Sequence, residues 1–438
     1  MRDSIFSLVS FEGTDPYSQA GGLGVRVSGL ARTLAELRYE THLFFIGDPH
    51  RPGEERVMNG YLTLHRWAQW ISINCPGGVY DGEDAKVRDL TQSLPQYLLD
   101  HVVKPAIAAN KMPVVLFEEW QTAECVCAFS DLLAAEGLRD RVVIFWTANN
   151  SYGFQTIDWP RLAMRATIAT ISRYMRSIIR SYGADAIVIP NGIPQELLEP
   201  VSRRDANSVR HLVDQDPEVT LFFKMARWER EKGWSQALGA VSELRERGRH
   251  PLLVARSGGP SSGAAGIVEE AAARGLRVAE VADERELMSE LEATPERRVE
   301  VINLRFGVNT ALARKLFAAS DAVLANSVYE PFGLVGLEAM AAGGMIYTGG
   351  TGEDYAVDGR NAVVLETLAP DEIVGRWEEF NSAPSRAARM RRAARQTAKD
   401  YSWQRVAAVL LERVAAQAVR QGAVRLSSEL KPGWLLAG

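Results

Sequence analysis

The stretch NSVYEPFGLVGLEAMAAGG, residues 326–344, holds two carboxylates, Glu330 and Glu338, with seven residues and a glycine turn between them. The residues Asp321–Ala325 before it read as a buried strand, Val328–Gly333 as a loop, and Leu334 onward as a helix. The amides of Phe332, Gly333, Leu334 and Val335 then sit at the positive end of a helix dipole with no intrahelical partners, a natural seat for a diphosphate. Glu338 lies early in that helix, where a position against a diphosphate would be repulsive. It suits a neutral hydroxylated group, because one carboxylate can accept from two adjacent ribose hydroxyls. Glu330, in the loop itself, can reach the hydroxyls of a sugar on the other side. Taken alone, Glu338 would be an ordinary helix-start glutamate; the whole pattern is what singles it out.

Two further stretches occupy similar places. In KMARWEREKGW, residues 224–234, Arg227 and Lys232 follow a strand expected over Val219–Phe223 and precede a helix expected from about Trp234 to Arg247. Paired cations at a strand end suit a diphosphate leaving group, whose developing charge needs stabilising. Arg230, between them, reads as solvated. In DPYSQAGGLGVRVSGLA, residues 15–31, Gly21, Gly22 and Gly24 permit close backbone approach to a ligand at the start of the first helix. The dinucleotide fingerprint is not met, since Val27 stands where its third small residue belongs. A packing role for these glycines and a ligand role both stay open.

The elements that must position these residues follow a βαβ rhythm. Ile5–Ser10, His42–Ile46, Val114–Phe117, Val142–Trp146, Thr167–Ile171 and Ala186–Ile189 read as buried strands, with a helix over Leu23–Leu37. Pro190-Asn191-Gly192-Ile193-Pro194 interrupts the pattern, and the rhythm restarts with Val219–Phe223, Pro251–Ala255, Val299–Leu304, a helix over Thr310–Ala319, Asp321–Ala325 and Met345–Thr348. The expectation is an α/β protein of two Rossmann-like domains, 1–190 and 195–400, facing each other across a cleft. A helical tail at 401–438 is able to cross back to the first. RSGGPSSG at 256–263 reads as a loop, and the loops at 48–60 and 75–92 match no recognisable pattern.

A chain of 438 residues suits two domains of ordinary size. With 46% apolar and 24% charged residues and a net charge of −5, nothing points to nucleic acid or an anionic membrane as partner. Cys75, Cys125 and Cys127 have no metal-ligand spacing and read as reduced thiols. No run approaches the roughly 20 apolar residues that span a bilayer, so a cytoplasmic protein is expected. Trp67, Trp70, Trp120 and Trp146 could stack on a carbohydrate, though each also suits a core.

Taken together, these residues resemble the retaining nucleotide-sugar glycosyltransferases of the GT-B fold, the group that includes glycogen and starch synthases, sucrose-phosphate synthases and bacterial group 1 transferases. EPFGLVGLEAM at 330–340 is similar to the family's paired-glutamate segment, and Arg227 with Lys232 to its R-x4-K-G. Ala20–Gly24 resembles the N-terminal glycine loop, Pro190–Ile193 the interdomain P-N-G-I, and Gly349-Gly350-Thr351-Gly352-Glu353 the glycine turn that follows. The resemblance implies catalytic roles for Arg227, Lys232 and Glu330. It implies donor binding by Gly21, Gly22, Gly24, Asn149, Phe332, Gly333, Leu334 and Glu338.

The activity implied is transfer of a hexose, glucose before others, from a UDP-, ADP- or GDP-sugar to a hydroxyl acceptor, without cofactor or metal. The one D-x-D, Asp214-Gln215-Asp216, precedes a strand and so sits at the wrong end of a sheet to hold an ion. A nucleotide-sugar 2-epimerase and a non-catalytic nucleotide-sugar-binding protein share the scaffold. Gln19 stands where glycogen synthases carry a lysine, Asn149 where they carry a histidine, and Glu118-Glu119-Trp120-Gln121-Thr122 where they carry H-D-W-Q-T. A donor pocket or acceptor different from that of glucan synthesis, or an altered activity, is the corresponding expectation. Acceptor identity and oligomeric state stay open.

Overall fold

The computed structural model describes residues 3–213, 216, 218–258 and 262–423, in two compact units. One unit comprises Met1–Gly192 with Trp403–Gly438, the other Ile193–Ser402. The first is built on the strands β1 (Ser4–Val9), β2 (Glu40–Ile46), β3 (Glu54–Val57), β4 (Leu62–Trp67), β5 (Met112–Glu118), β6 (Val143–Ala148), β7 (Thr167–Thr170) and β8 (Ile187–Val188). Their order in the sheet is β3-β4-β2-β1-β5-β6-β7-β8. Leu116, Phe117, Phe145 and Trp146 are almost wholly buried, as expected of strands covered on both faces by crossover helices. The described pairings of this sheet are parallel except at one edge, where β3 pairs antiparallel with β4. The sequence EERV of β3, with three of its four residues charged and two of them exposed, blunts that edge.

The second unit holds β9 (Val219–Arg227), β10 (His250–Gly258), β11 (Val278–Val281), β12 (Val301–Leu304), β13 (Ala322–Ala325), β14 (Ile346–Thr348) and β15 (Val363–Val364). They lie in the order β11-β12-β10-β9-β13-β14-β15, with every described pairing parallel. A parallel sheet collects ligands beyond the carboxyl ends of its strands, and here β9, β13 and β14 are neighbours. Residues 259–261 of the expected loop lie outside the described residues; β10 runs to Gly258 and a helix begins at Ser262.

The last described helix, Trp403–Arg420, belongs to the first unit. Trp403, Val406, Leu410 and Val414 join that unit's core, and burial of each apolar side chain stabilises by about 1.5–3 kcal/mol. Gly29 lets it approach: a Cβ there would lie 2.4 Å from the Trp403 indole. The segment is therefore more than a surface helix.

Candidate active site

In the second unit, three loops are held together at the carboxyl ends of β9, β13 and β14. The Val328 amide donates to the Glu231 carbonyl (2.7 Å), and the Gly352 amide to the Glu330 carbonyl (2.8 Å). The Glu330 amide donates to Thr351 Oγ1 (2.9 Å). Such backbone bonds fix the loops against each other with little reliance on long side chains.

Within this frame Lys232 Nζ lies 3.1 Å from Glu330 Oε2. Both side chains are mostly covered, and the pair stands beside the start of the helix Leu334–Ala342. No side chain caps that helix, so its first amides are left to solvent or to a ligand. Gly333 precedes it with φ +83°. A Cβ at Gly333 would lie 2.7 Å from Glu353 Cγ and 2.8 Å from Tyr355 Oη, so only glycine fits. Phe332 is buried, its ring edge-on to Tyr355, and contributes its backbone rather than its ring to the helix start. Glu338 keeps part of its surface exposed, yet burial pushes its carboxyl up to about 7. Arg227 is placed differently from Lys232. It ends β9, is 60% exposed, and pairs with Glu229 at 3.0 Å.

The first unit carries the remaining candidates, the glycine turn among them. The amides of Gly21 (2.9 Å) and Gly24 (3.0 Å), with that of Ala20 (3.1 Å), donate to Glu12 Oε2. The opposite oxygen of Glu12 accepts from the Tyr80 hydroxyl (2.6 Å). The helix Gly22–Glu36 thus receives a carboxylate of its own chain at its positive end, and the amides of Gly21 and Gly24 are occupied by it. Gly22 is exposed at that turn.

Asn149 follows β6. Its Nδ2 donates to Glu118 Oε2 (2.8 Å) and its backbone amide to Glu119 Oε1. Glu118 also receives Arg26 Nε (3.1 Å), and the same arginine reaches the Pro190 carbonyl (3.2 Å) and Asn191 Oδ1 (2.9 Å). Asn149 Oδ1 and Glu119 Oε2 are buried with no hydrogen-bond partner among the described residues. Of the tryptophans, Trp146 is core, whereas Trp70 is largely exposed.

Residues 204–397 match the family model described as glycosyl transferases group 1. That stretch is similar to the group 1 glycosyltransferases. A "Glycogen synthase" of Mycobacterium tuberculosis is 41% identical over 99 residues, 21% of this chain and 23% of that protein. An "Alpha-maltose-1-phosphate synthase" of Mycolicibacterium smegmatis is 25% identical over 78% of this chain and 89% of its own length. Among solved structures, the catalytic domain of Starch Synthase IV from Arabidopsis thaliana, bound to ADP and acarbose, superposes with a TM-score of 0.64 at 16% identity. It covers 95% of this chain and 100% of the other. The fold is GT-B. The chain spans about a quarter of the length of the mycobacterial glycogen synthase it matches.

The second unit holds functional candidates that spacing alone does not reveal. The sequence places 224–234 after the strand, but β9 continues to Arg227 and buries Lys224 inside it. A lysine within the run LFFKMA is the signal that could have marked it. Glu353, quoted above only as part of a glycine turn, is buried against Gly333, with one oxygen accepting from the Thr351 amide (3.0 Å) and the other unpartnered. Burial, with Glu330 adding, pushes it up to about 8. Asp214 and Gln215 lie outside the described residues; Asp216 bonds Arg298 (3.0 Å) and His250 (2.7 Å) and is a structural anchor.

Glu119 carries a stability prediction. Burial pushes it up to about 8, Glu118 adds to this, and the Asn149 amide opposes it. A carboxyl whose folded pKa is raised contributes stability present in full below its unfolded value and lost as pH rises through the folded one. Glu119→Gln, which cannot ionise, should therefore melt higher than the wild type at about pH 9, by roughly 5 °C, and close to it at about pH 5. Melting curves at the two pH values check this; equal shifts at both would contradict it.

Proposed function

We propose that the chain is a nucleoside-diphosphate-sugar-dependent hexosyltransferase, with glucose the first candidate sugar, acting on a hydroxyl acceptor with retention at the anomeric carbon. The observation that carries the reading is the Lys232–Glu330 pair beside the uncapped start of helix Leu334–Ala342. The family match, 204–397, spans these residues, and the Arabidopsis neighbour is described as bound to ADP. The names of the relatives differ in what they make, so the acceptor is left as a hydroxyl.

In this mechanism the helix amides and Lys232 receive the diphosphate, and Arg227, solvent-exposed at the end of β9, adds a second cation. Glu330 accepts from sugar hydroxyls and Glu338 from the ribose. The bond from the anomeric carbon to the diphosphate breaks and one to the acceptor oxygen forms on the same face. The acceptor proton passes to a diphosphate oxygen. No side chain is assigned as covalent nucleophile and no metal is invoked. Catalysis rests on positioning and on stabilising the departing charge.

Thermal melts with UDP, ADP and GDP and their glucose conjugates test the reading. At a concentration 100 times its Kd a bound ligand stabilises by about 2.7 kcal/mol, a rise of several degrees. One of the nucleotides is expected to produce that rise, and its sugar to be turned over when acceptor is present. No stabilisation by any of them would overturn the reading.

A further inference from the structure

One cation of the second unit has no part in the mechanism above and almost no contact with solvent. Lys224 is 1% exposed and stands on β9 opposite Ala255 of β10. Its Nζ donates to the Leu324 carbonyl (3.1 Å) and to Asn326 Oδ1 (2.6 Å), and lies 5.2 Å from the centre of the Trp234 ring. Asn326 Nδ2 in turn donates to the Gly233 carbonyl (3.0 Å) and to Gln236 Oε1 (3.2 Å). Gly233, at φ +67°, directly follows Lys232, and a Cβ there would lie 2.2 Å from the Asn326 carbonyl. A continuous chain of contacts thus runs from the buried ammonium to the backbone beside Lys232.

A buried ammonium is costly unless a carboxylate answers it. Among the described residues Lys224 has only neutral dipoles and a ring face as partners, while the nearby carboxylate, Glu330, is bonded to Lys232. For packing alone, a residue of the same length without charge would serve better.

We propose that Lys224 is a positioning residue for the donor diphosphate: through Asn326 it fixes the backbone beside Lys232, and it takes up a proton as the diphosphate binds. The inference rests on the nucleoside diphosphate reading above. Burial, with Lys232 adding and Glu330 opposing, pushes Lys224 down to about 7. The other elements packed against it present Ala255, Leu324, Asn326, Trp234 and Gln236, none of which titrates. Negative charge brought to Lys232 favours the ammonium form, so binding near neutral pH draws in a proton.

Calorimetric titration of UDP, ADP and GDP at about pH 7.5, in buffers of different ionisation enthalpy, reads that proton directly. The wild type is expected to take up a fraction of a proton. Lys224→Met should take up less, bind roughly tenfold more weakly, and melt no lower than the wild type. Lys224→Arg, charged throughout, should bind but lose the same share of the uptake, and it decides the matter if the methionine variant folds poorly. Unchanged affinity in Lys224→Met, or uptake that survives in either variant, overturns the proposal. Wild-type binding without uptake also overturns it and leaves the proposed function standing. Failure of the wild type to bind any of the three nucleotides removes both.

Discussion

Replacing Lys232 with alanine is expected to slow sugar transfer by roughly 10²- to 10³-fold, the scale seen when one preorganised donor to a developing negative charge is lost. Two effects combine. The departing diphosphate loses a cation that is mostly covered and stands beside the helix start, and Glu330 loses its 3.1 Å partner. A carboxylate left without that partner in a half-covered loop also repels the diphosphate. Lys232→Arg is not expected to rescue fully, because a planar fork and a compact ammonium do not occupy the same space. Arg227→Ala should cost less than about tenfold. That side chain is 60% exposed and already paired with Glu229, the setting in which ion pairs contribute little. Steady-state kcat/KM of the three variants, with circular dichroism to confirm folding, checks the ranking. Equal losses at Arg227 and Lys232 would contradict it.

The second large effect is expected at Gly333. Alanine there must adopt φ near +83° and place its Cβ 2.7 Å from Glu353 Cγ and 2.8 Å from Tyr355 Oη. Backbone strain of this kind costs about 1–3 kcal/mol before any displacement is counted. Tyr355 cannot yield freely, since its hydroxyl donates to the Gly333 carbonyl and its ring packs on Phe332. The predicted outcome is a melting point lower by roughly 5–10 °C together with loss of nucleotide binding, because the helix start and the Glu330 loop move as one. A variant that melts normally and still binds would show that the turn tolerates a side chain and that the helix start is not the seat.

Strands buried on both faces were legible because their apolar runs have no other use: Val114–Phe117 and Leu221–Phe223 sit within strands of the structure. Elements without such runs escaped. The edge strand Glu54–Val57 is charged and exposed, and the helix Glu83–Leu98 carries Pro95 inside it. At the site, Lys232, Glu330 and the helix start at Leu334 could be read from spacing, since strand, loop and helix follow each other in the chain. Glu12 could not. It lies before the glycine turn, and only the folded loop shows that its carboxylate takes the amides of Gly21 and Gly24. Lys224 was hidden for a different reason: a charge usually ends a strand, whereas here the strand runs through it.

The most direct test of the account is a crystal structure of the protein with the nucleoside diphosphate that most raises its melting point. The account predicts phosphate oxygens within hydrogen-bond reach of Lys232 Nζ and of the amides of Leu334 and Val335, with ribose hydroxyls on Glu338. Phosphates bound elsewhere, with the Lys232–Glu330 pair untouched and the helix start facing only water, would contradict it.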